Sequence, residues 1–360
     1  MSQFLQALLG TPGVSGREDR IRDVIAAEMK PLVDELTVDV MGNLIGVRKA
    51  RRGKGKRPLR VMIAAHMDQI GLYVRHVDKQ GFVRFVTAGG FDPKTLIAQR
   101  VVVHGKKDLN GVIGTKPIHI MNDEERKQPP KMEQLYVDLG LTAARVKAQV
   151  SDGDPITLVG DLKQVGDCWC SRALDDRIGV YVMVEALRRA AASKKGHAVE
   201  VYAVSTTQEE VGVRGATTAA FGVEPDVGVA VDVTLAADVP GVSDHDQISH
   251  FGKGTAISLM NGSLISNPLL VERFKALARK KKIPFQMDIL PRGGTDASAM
   301  QRARSGCAAI TLSVPSRYVH STVEMVHRKD VKASIDLLAA YLIDEATSSY
   351  RPRVSGATRR

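Results

Sequence analysis

The sequence predicts an α/β fold in which one large mixed-sheet domain is interrupted by a smaller β-rich insertion. Three observations carry this reading. Mostly apolar runs at residues 59–65, 198–204, 227–231 and 308–314 have the length and composition of strands buried on both faces. Stretches of helical spacing alternate with them, as in Ile21, Val24, Ile25 and Met29, or Val331, Ile335, Leu338 and Leu342. From Gly71 to about Gly166 the texture changes to short alternating runs, GLYVRHV, GFVRFV and RVVVHG, with no long helical period. The large domain is therefore split between residues 1–70 and 167–348, the insertion occupies 71–166, and a basic tail at 349–360 is expected to be disordered.

Taken in order, a short amphipathic segment leads to a turn at residues 11–13, and Ser15-x-x-Glu18 has the form of a capping box for a helix that stops at Pro31. Residues 36–40 and 43–47 alternate as a hairpin around Met41-Gly42, and the Lys/Arg/Gly loop that follows reads as solvated surface. Inside the insertion, Asp78-Lys79-Gln80-Gly81 and Asn110-Gly111 read as turns. The charged stretch 123–131, followed by Met132, reads as a mobile loop or partner contact, and equally as plain surface. Cys168 and Cys170 stand two apart, which fits alternation in a buried strand better than a zinc ribbon.

The chemistry concentrates where the strands end, which is where open α/β sheets place their ligands. The run ending at Val204 delivers STTQEEVGVRG, whose adjacent Glu209 and Glu210 precede Gly212 and Gly215 in a tight loop. One carboxylate can face a metal while the other faces a water. Four other stretches carry metal-ligand residue types at strand ends: His66 with Asp68, Asp175 with Asp176, Asp232, and His320. Residues two apart point the same way on an extended chain, so Asp68 can steady the His66 imidazole. Asp175-Asp176 opens a helix, where a carboxylate suits both the helix dipole and a ligand bridging two cations. Asp175 is the preferred bridge, although spacing alone does not choose between the two. The turn Arg292-Gly293-Gly294-Thr295-Asp296 lacks the Gly-Lys-Ser/Thr pattern of a phosphate loop. Its functional reading is a substrate-pocket wall built from Arg292, Gly294, Thr295 and Asp296; its bland reading is a turn.

Composition narrows the classes further. With 360 residues and 44% hydrophobic content the chain can bury a sizeable core. Its single Trp and scarce aromatics argue against a ring-paved carbohydrate cleft or a base-stacking platform. The formal charge of +11 raises nucleic acid as a partner, but the basic residues gather at 48–60, 279–282 and 351–360, in a linker, a helix end and the tail. No dedicated nucleic-acid site is expected. Three cysteines are too few, and odd in number, for a disulfide scaffold. Without a positive leader or an uninterrupted run of about 18 apolar residues, a cytoplasmic protein without membrane association is expected.

Together and in this order, AAHMDQIG, GGFDPKTLIAQRV, GVIGTKP, SRALDDRIG, TTQEEVGVRGA, VAVDV, GGTDAS and YVHSTVEMV resemble the tetrahedral aminopeptidases, over roughly residues 4–344. This is a dinuclear-metal family of deblocking and glutamyl aminopeptidases. The resemblance implies a zinc-exopeptidase, phosphorylase/hydrolase-like domain with an inserted PDZ-like β domain. It implies that His66 and Asp232 hold one divalent cation, that Glu210 and His320 hold the other, and that Asp175 bridges them. Asp68 would orient His66, and Glu209 would act as general base on a water shared by the cations. Two imidazoles and three carboxylates suit Zn2+ or Co2+ better than Mg2+ or Ca2+. The substrates implied are peptides, cleaved after their N-terminal residue, and the assembly a homodimer or a twelve-subunit tetrahedron. Gln69 stands where the family often has Glu, which leaves the ligands intact and alters the neighbouring charge. The alternative is a related N-acyl deacylase or carboxypeptidase-like amide hydrolase, distinguished by whether a free N-terminus is required. An endoglucanase is disfavoured, because adjacent glutamates are not opposed carboxylates around a sugar. A non-catalytic basic assembly protein would have no physical reason to keep all six groups.

Overall fold

The computed structural model describes residues 2–52, 57–344 and 350–351. The strands are β1 (Glu35–Val38), β2 (Leu44–Arg48), β3 (Arg60–His66), β4 (Gly71–Val77), β5 (Val83–Ala88), β6 (Arg100–His104), β7 (Asp108–Gly114), β8 (Tyr136–Asp138), β9 (Pro155–Leu158), β10 (Lys163–Val165), β11 (Cys168–Ser171), β12 (Glu200–Thr206), β13 (Val227–Leu235), β14 (Thr255–Asn261), β15 (Leu264–Ile265), β16 (Phe285–Ile289), β17 (Ala308–Arg317) and β18 (Glu324–His327). The helices are α1 (Gln3–Gly10), α2 (Asp19–Met29), α3 (Pro93–Leu96), α4 (Asp123–Lys127), α5 (Ala143–Gln149), α6 (Leu174–Ala192), α7 (Arg214–Val223), α8 (Pro268–Lys281), α9 (Asp296–Arg302) and α10 (Arg328–Asp344).

A 12-stranded mixed sheet runs β1-β2-β12-β3-β13-β17-β18-β11-β10, with β14 paired to β17 and carrying β15 and β16. Its centre, β12-β3-β13-β17, is parallel, so four C-terminal strand ends emerge along one edge. Successive residues of β3 feed opposite layers. Val61, Ile63 and Ala65 join the core under α1, α2, α6, α8 and α10, while Met62 and Ala64 join a smaller cluster with α7 and α9. Burial on both faces explains why these strands read as continuous apolar runs, each fully buried Val or Ile contributing about 1.5–3 kcal/mol.

Strands β4–β9 close into a separate six-stranded barrel, ordered β4-β5-β8-β7-β6-β9, around Leu72, Val83, Val103, Ile113, Val137 and Ile156. The barrel ends at Leu158, before the expected boundary at 166, because β10 pairs with β11 in the large sheet. Asn110-Gly111 is not a turn. It lies within β7, opposite Val102 and Val101, and the chain reverses instead between His104 and Asp108. Part of the charged stretch forms α4, closed by a capping box between Asn122 and Glu125. Cys168 and Cys170 do lie in a strand, but half-buried, one strand from the sheet edge. Most of the basic tail lies outside the described residues; Tyr350 within it is buried, its carbonyl accepting from Asn267 Nδ2 at 3.0 Å. Among the described residues no helix is long and apolar enough to cross a membrane.

Candidate active site

The parallel strand ends deliver the site. His66 ends β3, Glu209 and Glu210 occupy the loop after β12, Asp232 lies in β13, and His320 follows β17. Asp175 and Asp176 lie at the start of α6 with non-helical dihedral angles and a cis peptide between them. The regular helix therefore begins after the pair and is not opened by it. Ala173, Gln208 and His320 all have positive φ, of 56°, 52° and 64°. Such conformations cost a non-glycine residue about 1–2 kcal/mol, and here each falls at, or within two residues before, a candidate site residue.

Two groups of side chains converge, and Asp175 belongs to both. In the first, His66, Asp175 and Asp232 bring one donor atom each within 4.8 Å of one another; in the second, Asp175, Glu210 and His320 do the same. His66 Nε2 lies 3.0 Å from Asp175 Oδ1 and 4.0 Å from Asp232 Oδ1. His320 Nε2 lies 3.4 Å from Asp175 Oδ2 and 3.2 Å from Glu210 Oε2. The two oxygens of Asp175 thus face different groups. His66 Nδ1 sits 3.2 Å from the Asp68 carbonyl and 3.5 Å from its Oδ1, which turns Nε2 toward the group.

Electrostatics mark the cluster as short of positive charge. Burial raises the Glu209 carboxyl well above the ordinary range, and Asp232, Asp296 and Glu210 raise it further, against the pull of His66. Burial and Asp175 likewise raise Glu210, and Asp232 is raised well above its usual value by burial and by Asp175 and Asp296. Burial opposes charge on His320, yet Asp175 and Glu210 hold its imidazolium up to about 11. His66 is also raised, Asp175 and Asp68 outweighing burial, and these imidazoles in turn lower Asp175 despite its own burial. Glu210 Oε1 is buried and has no hydrogen-bond partner among the described residues. Two imidazoles, three carboxylates and an unpartnered oxygen fit a pair of divalent cations, one per group.

Two buried carboxylates brace this arrangement through backbone amides. Asp68 Oδ1 accepts from Glu209 N at 3.0 Å, and its Oδ2 accepts from Glu210 N at 3.2 Å and from Ser15 Oγ at 2.6 Å. Glu324 spans two residues of the second group: Oε2 accepts from Asp175 N at 3.0 Å and Oε1 from His320 N at 2.9 Å. Sequence reasoning overlooked Glu324, although its place four residues after His320 in HSTVE was a usable signal.

The cluster opens into a cavity of about 550 Å³. Leu235, Leu290 and Val319 supply apolar wall, and Arg292, Gly294 and Arg302 line it as well. Thr295 and Asp296 do not line it. They are buried beneath, Thr295 Oγ1 hydrogen-bonded to Thr311 Oγ1 at 2.8 Å and Asp296 accepting from Thr206 Oγ1, because the turn points them into the layer under α9. The barrel also reaches the site. A Cβ built on Gly89 (φ 90°) would lie 2.5 Å from Ile70 Cγ2 and 3.4 Å from Glu210 Cβ, and one on Gly90 would lie 3.3 Å from His320 Nδ1.

A family model described as M42 glutamyl aminopeptidase matches residues 42–337. The chain is 36% identical over 361 residues to a lysyl aminopeptidase of Pyrococcus furiosus, covering 97% of this chain and 99% of that relative. In three dimensions it is similar to the TET aminopeptidase of a marine-sediment Thaumarchaeota archaeon, with a TM-score of 0.93 at 33% identity over 97% of each chain. It is also similar to the TET1 peptidase of Pyrococcus horikoshii, which can assemble into a tetrahedron or a large octahedral shell (TM-score 0.84, 31% identity, 95% of this chain and 99% of that one).

Proposed function

The chain belongs to the M42 glutamyl aminopeptidase family, and from that premise we propose a two-cation aminopeptidase that releases N-terminal residues from peptides, with Glu209 as general base. The observation that carries the two-cation reading is Asp175, whose separate oxygens serve separate ligand groups. His66 and Asp232 would hold one cation, Glu210 and His320 the other, with Asp175 common to both. Zn2+ or Co2+ suits this mixed nitrogen and oxygen set. Bound there, such ions lower the pKa of water and polarise a carbonyl.

The chain's own groups supply the rest. Glu209 faces the charges of His66 and Asp232, and burial keeps its carboxylate eager for a proton. It takes that proton from the attacking water at a carboxylate oxygen and returns it to the departing amine nitrogen. Asp68 fixes the backbone of the base and of Glu210 while its carbonyl sets the His66 ring. Arg292 and Gly294 form part of the wall against which a short peptide lies. The same reading takes the large sheet as a zinc-exopeptidase domain and the barrel as PDZ-like. It also takes the protein to be cytoplasmic and to form a homodimer or larger cage, the last supported by the shells of its structural relative.

The test is hydrolysis of a panel of aminoacyl-p-nitroanilides by metal-stripped protein with added Zn2+ or Co2+, beside N-acetylated analogues. Cleavage confined to free amines, dependent on metal and reduced about 10²–10⁴-fold in kcat by Glu209→Gln, is expected. Hydrolysis of the acetylated set would favour the deacylase reading instead.

A further inference from the structure

Ser15 and Glu18 were expected to cap α2, yet neither does. The helix begins at Asp19 with no side-chain cap bond from Glu18. Both side chains are buried and turn the other way, toward the catalytic loop. Glu18 Oε1 accepts from Gly16 N at 2.7 Å and from Gln208 N at 3.1 Å, across 190 residues of chain. Ser15 Oγ donates to Asp68 Oδ2, the oxygen that also accepts from Glu210 N.

Three consecutive amides, those of Gln208, Glu209 and Glu210, are thus held by two buried carboxylates, Glu18 for the first and Asp68 for the other two. Gln208 is the residue that needs holding, because its φ of 52° is the left-handed bend that aims Glu209. An unheld non-glycine residue there relaxes toward negative φ and carries the next side chain with it. The segment bearing Glu18 is itself anchored: Gln69 N donates to the Gly13 carbonyl at 3.0 Å, and Tyr73 Oη donates to the Ser15 carbonyl at 2.7 Å. A carboxylate buried this way is costly, and burial with the nearby Asp68 charge lifts Glu18 to about 7.

We propose that Glu18 is a positioning residue for proton transfer, locking the Gln208 bend so that Glu209 meets the attacking water in register. Ser15 assists by fixing Asp68. Glu18 touches neither substrate nor cation and acts through hydrogen-bond acceptance at one backbone amide. The inference rests on Glu209 being the base.

The experiment compares Glu18→Ala, Glu18→Gln and Glu209→Gln, measuring kcat and KM on a free-amine p-nitroanilide together with metal content. A misaimed base lowers kcat by about 10–100-fold, since small displacements of catalytic groups have effects of that size. For Glu18→Ala that loss is expected with KM within about twofold and metal content retained. Glu18→Gln, which keeps the Oε1 acceptor, recovers most of the loss. Should the alanine variant not fold, Glu18→Asp, one methylene too short to reach Gln208 N, is expected to show the same split. Wild-type kcat in Glu18→Ala or Glu18→Asp while Glu209→Gln is inactive would overturn the positioning role alone. A glutamine variant as impaired as alanine would also overturn it, by showing that charge and not the hydrogen bond is needed. Full activity in Glu209→Gln would instead sink the general-base reading on which it rests.

Discussion

The two candidate ligand groups share Asp175 and differ in almost everything else. His66 and Asp232 are buried and sit on adjacent parallel strands, whose register is fixed from Val227 opposite Val61 to Ala230 opposite Ala64. Glu210 and His320 come from loops, and the His320 side chain is 35% exposed at the cavity. Ligands on strands inherit the rigidity of a packed sheet, whereas ligands on loops depend on hydrogen bonds that hold the loop in place. The inner group should therefore be robust and the outer group adjustable: the backbone amides of Glu210 and His320 are held by the buried carboxylates Asp68 and Glu324, which also reach His66 and Asp175.

The largest effect expected is from Asp175→Asn, which damages both groups at once. Bound metal measured by elemental analysis should fall to background and peptide hydrolysis with it; retention of one full equivalent would break the idea of a shared ligand. His320→Ala should separate the groups, losing the outer ion and keeping the inner, whereas His66→Ala should lose the inner. Chelator titration of the wild type should accordingly remove metal in two phases, the outer first, and a single phase would erase the contrast. Glu324→Gln leaves one amide, of Asp175 or His320, without an acceptor, and should weaken outer-site metal affinity about 10–100-fold, as read by competition with a chromophoric chelator. The smallest effect concerns Glu18. A carboxyl raised from 4.5 to about 7 on folding binds its proton more tightly in the native state, so stability declines as pH rises across that window. Glutamine has no such titration. The Tm of Glu18→Gln relative to wild type should thus shift in its favour between pH 4.5 and 7 and level off above; a pH-independent difference would show Glu18 to be unshifted.

Much of the candidate site was legible in the sequence because His66, Glu210, Asp232 and His320 lie on or beyond the buried parallel strands β3, β12, β13 and β17, and such a strand announces both itself and its end; Asp175 instead follows the half-buried antiparallel β11. His66, Asp175, Glu210, Asp232 and His320, named from strand ends and family resemblance, come together in space as the two groups. What resisted reading was non-local. Ser15-x-x-Glu18 satisfies a helix-capping pattern perfectly well, and only folding brings Gln208 and Asp68 close enough to compete for its oxygens. Asn110-Gly111 is a strong turn signal overruled by pairing with β6, where Gly111 has Leu139 and Val137 pressed so close that a side chain would collide. Arg292 and Gly294 reach the cavity while their neighbours Thr295 and Asp296 do not, a difference set by the backbone direction entering α9 and invisible in the order of residues.

At Gly89 a side chain would collide with Ile70, and at Gly90 it would press on the His320 ring. The barrel is therefore not an interchangeable module. A lineage that exchanged it for another small domain, or an engineer building a chimaera, would have to present a loop that clears Ile70 and leaves the His320 ring in place. Those two glycines couple the shape of the inserted unit to the cluster of side chains beside it.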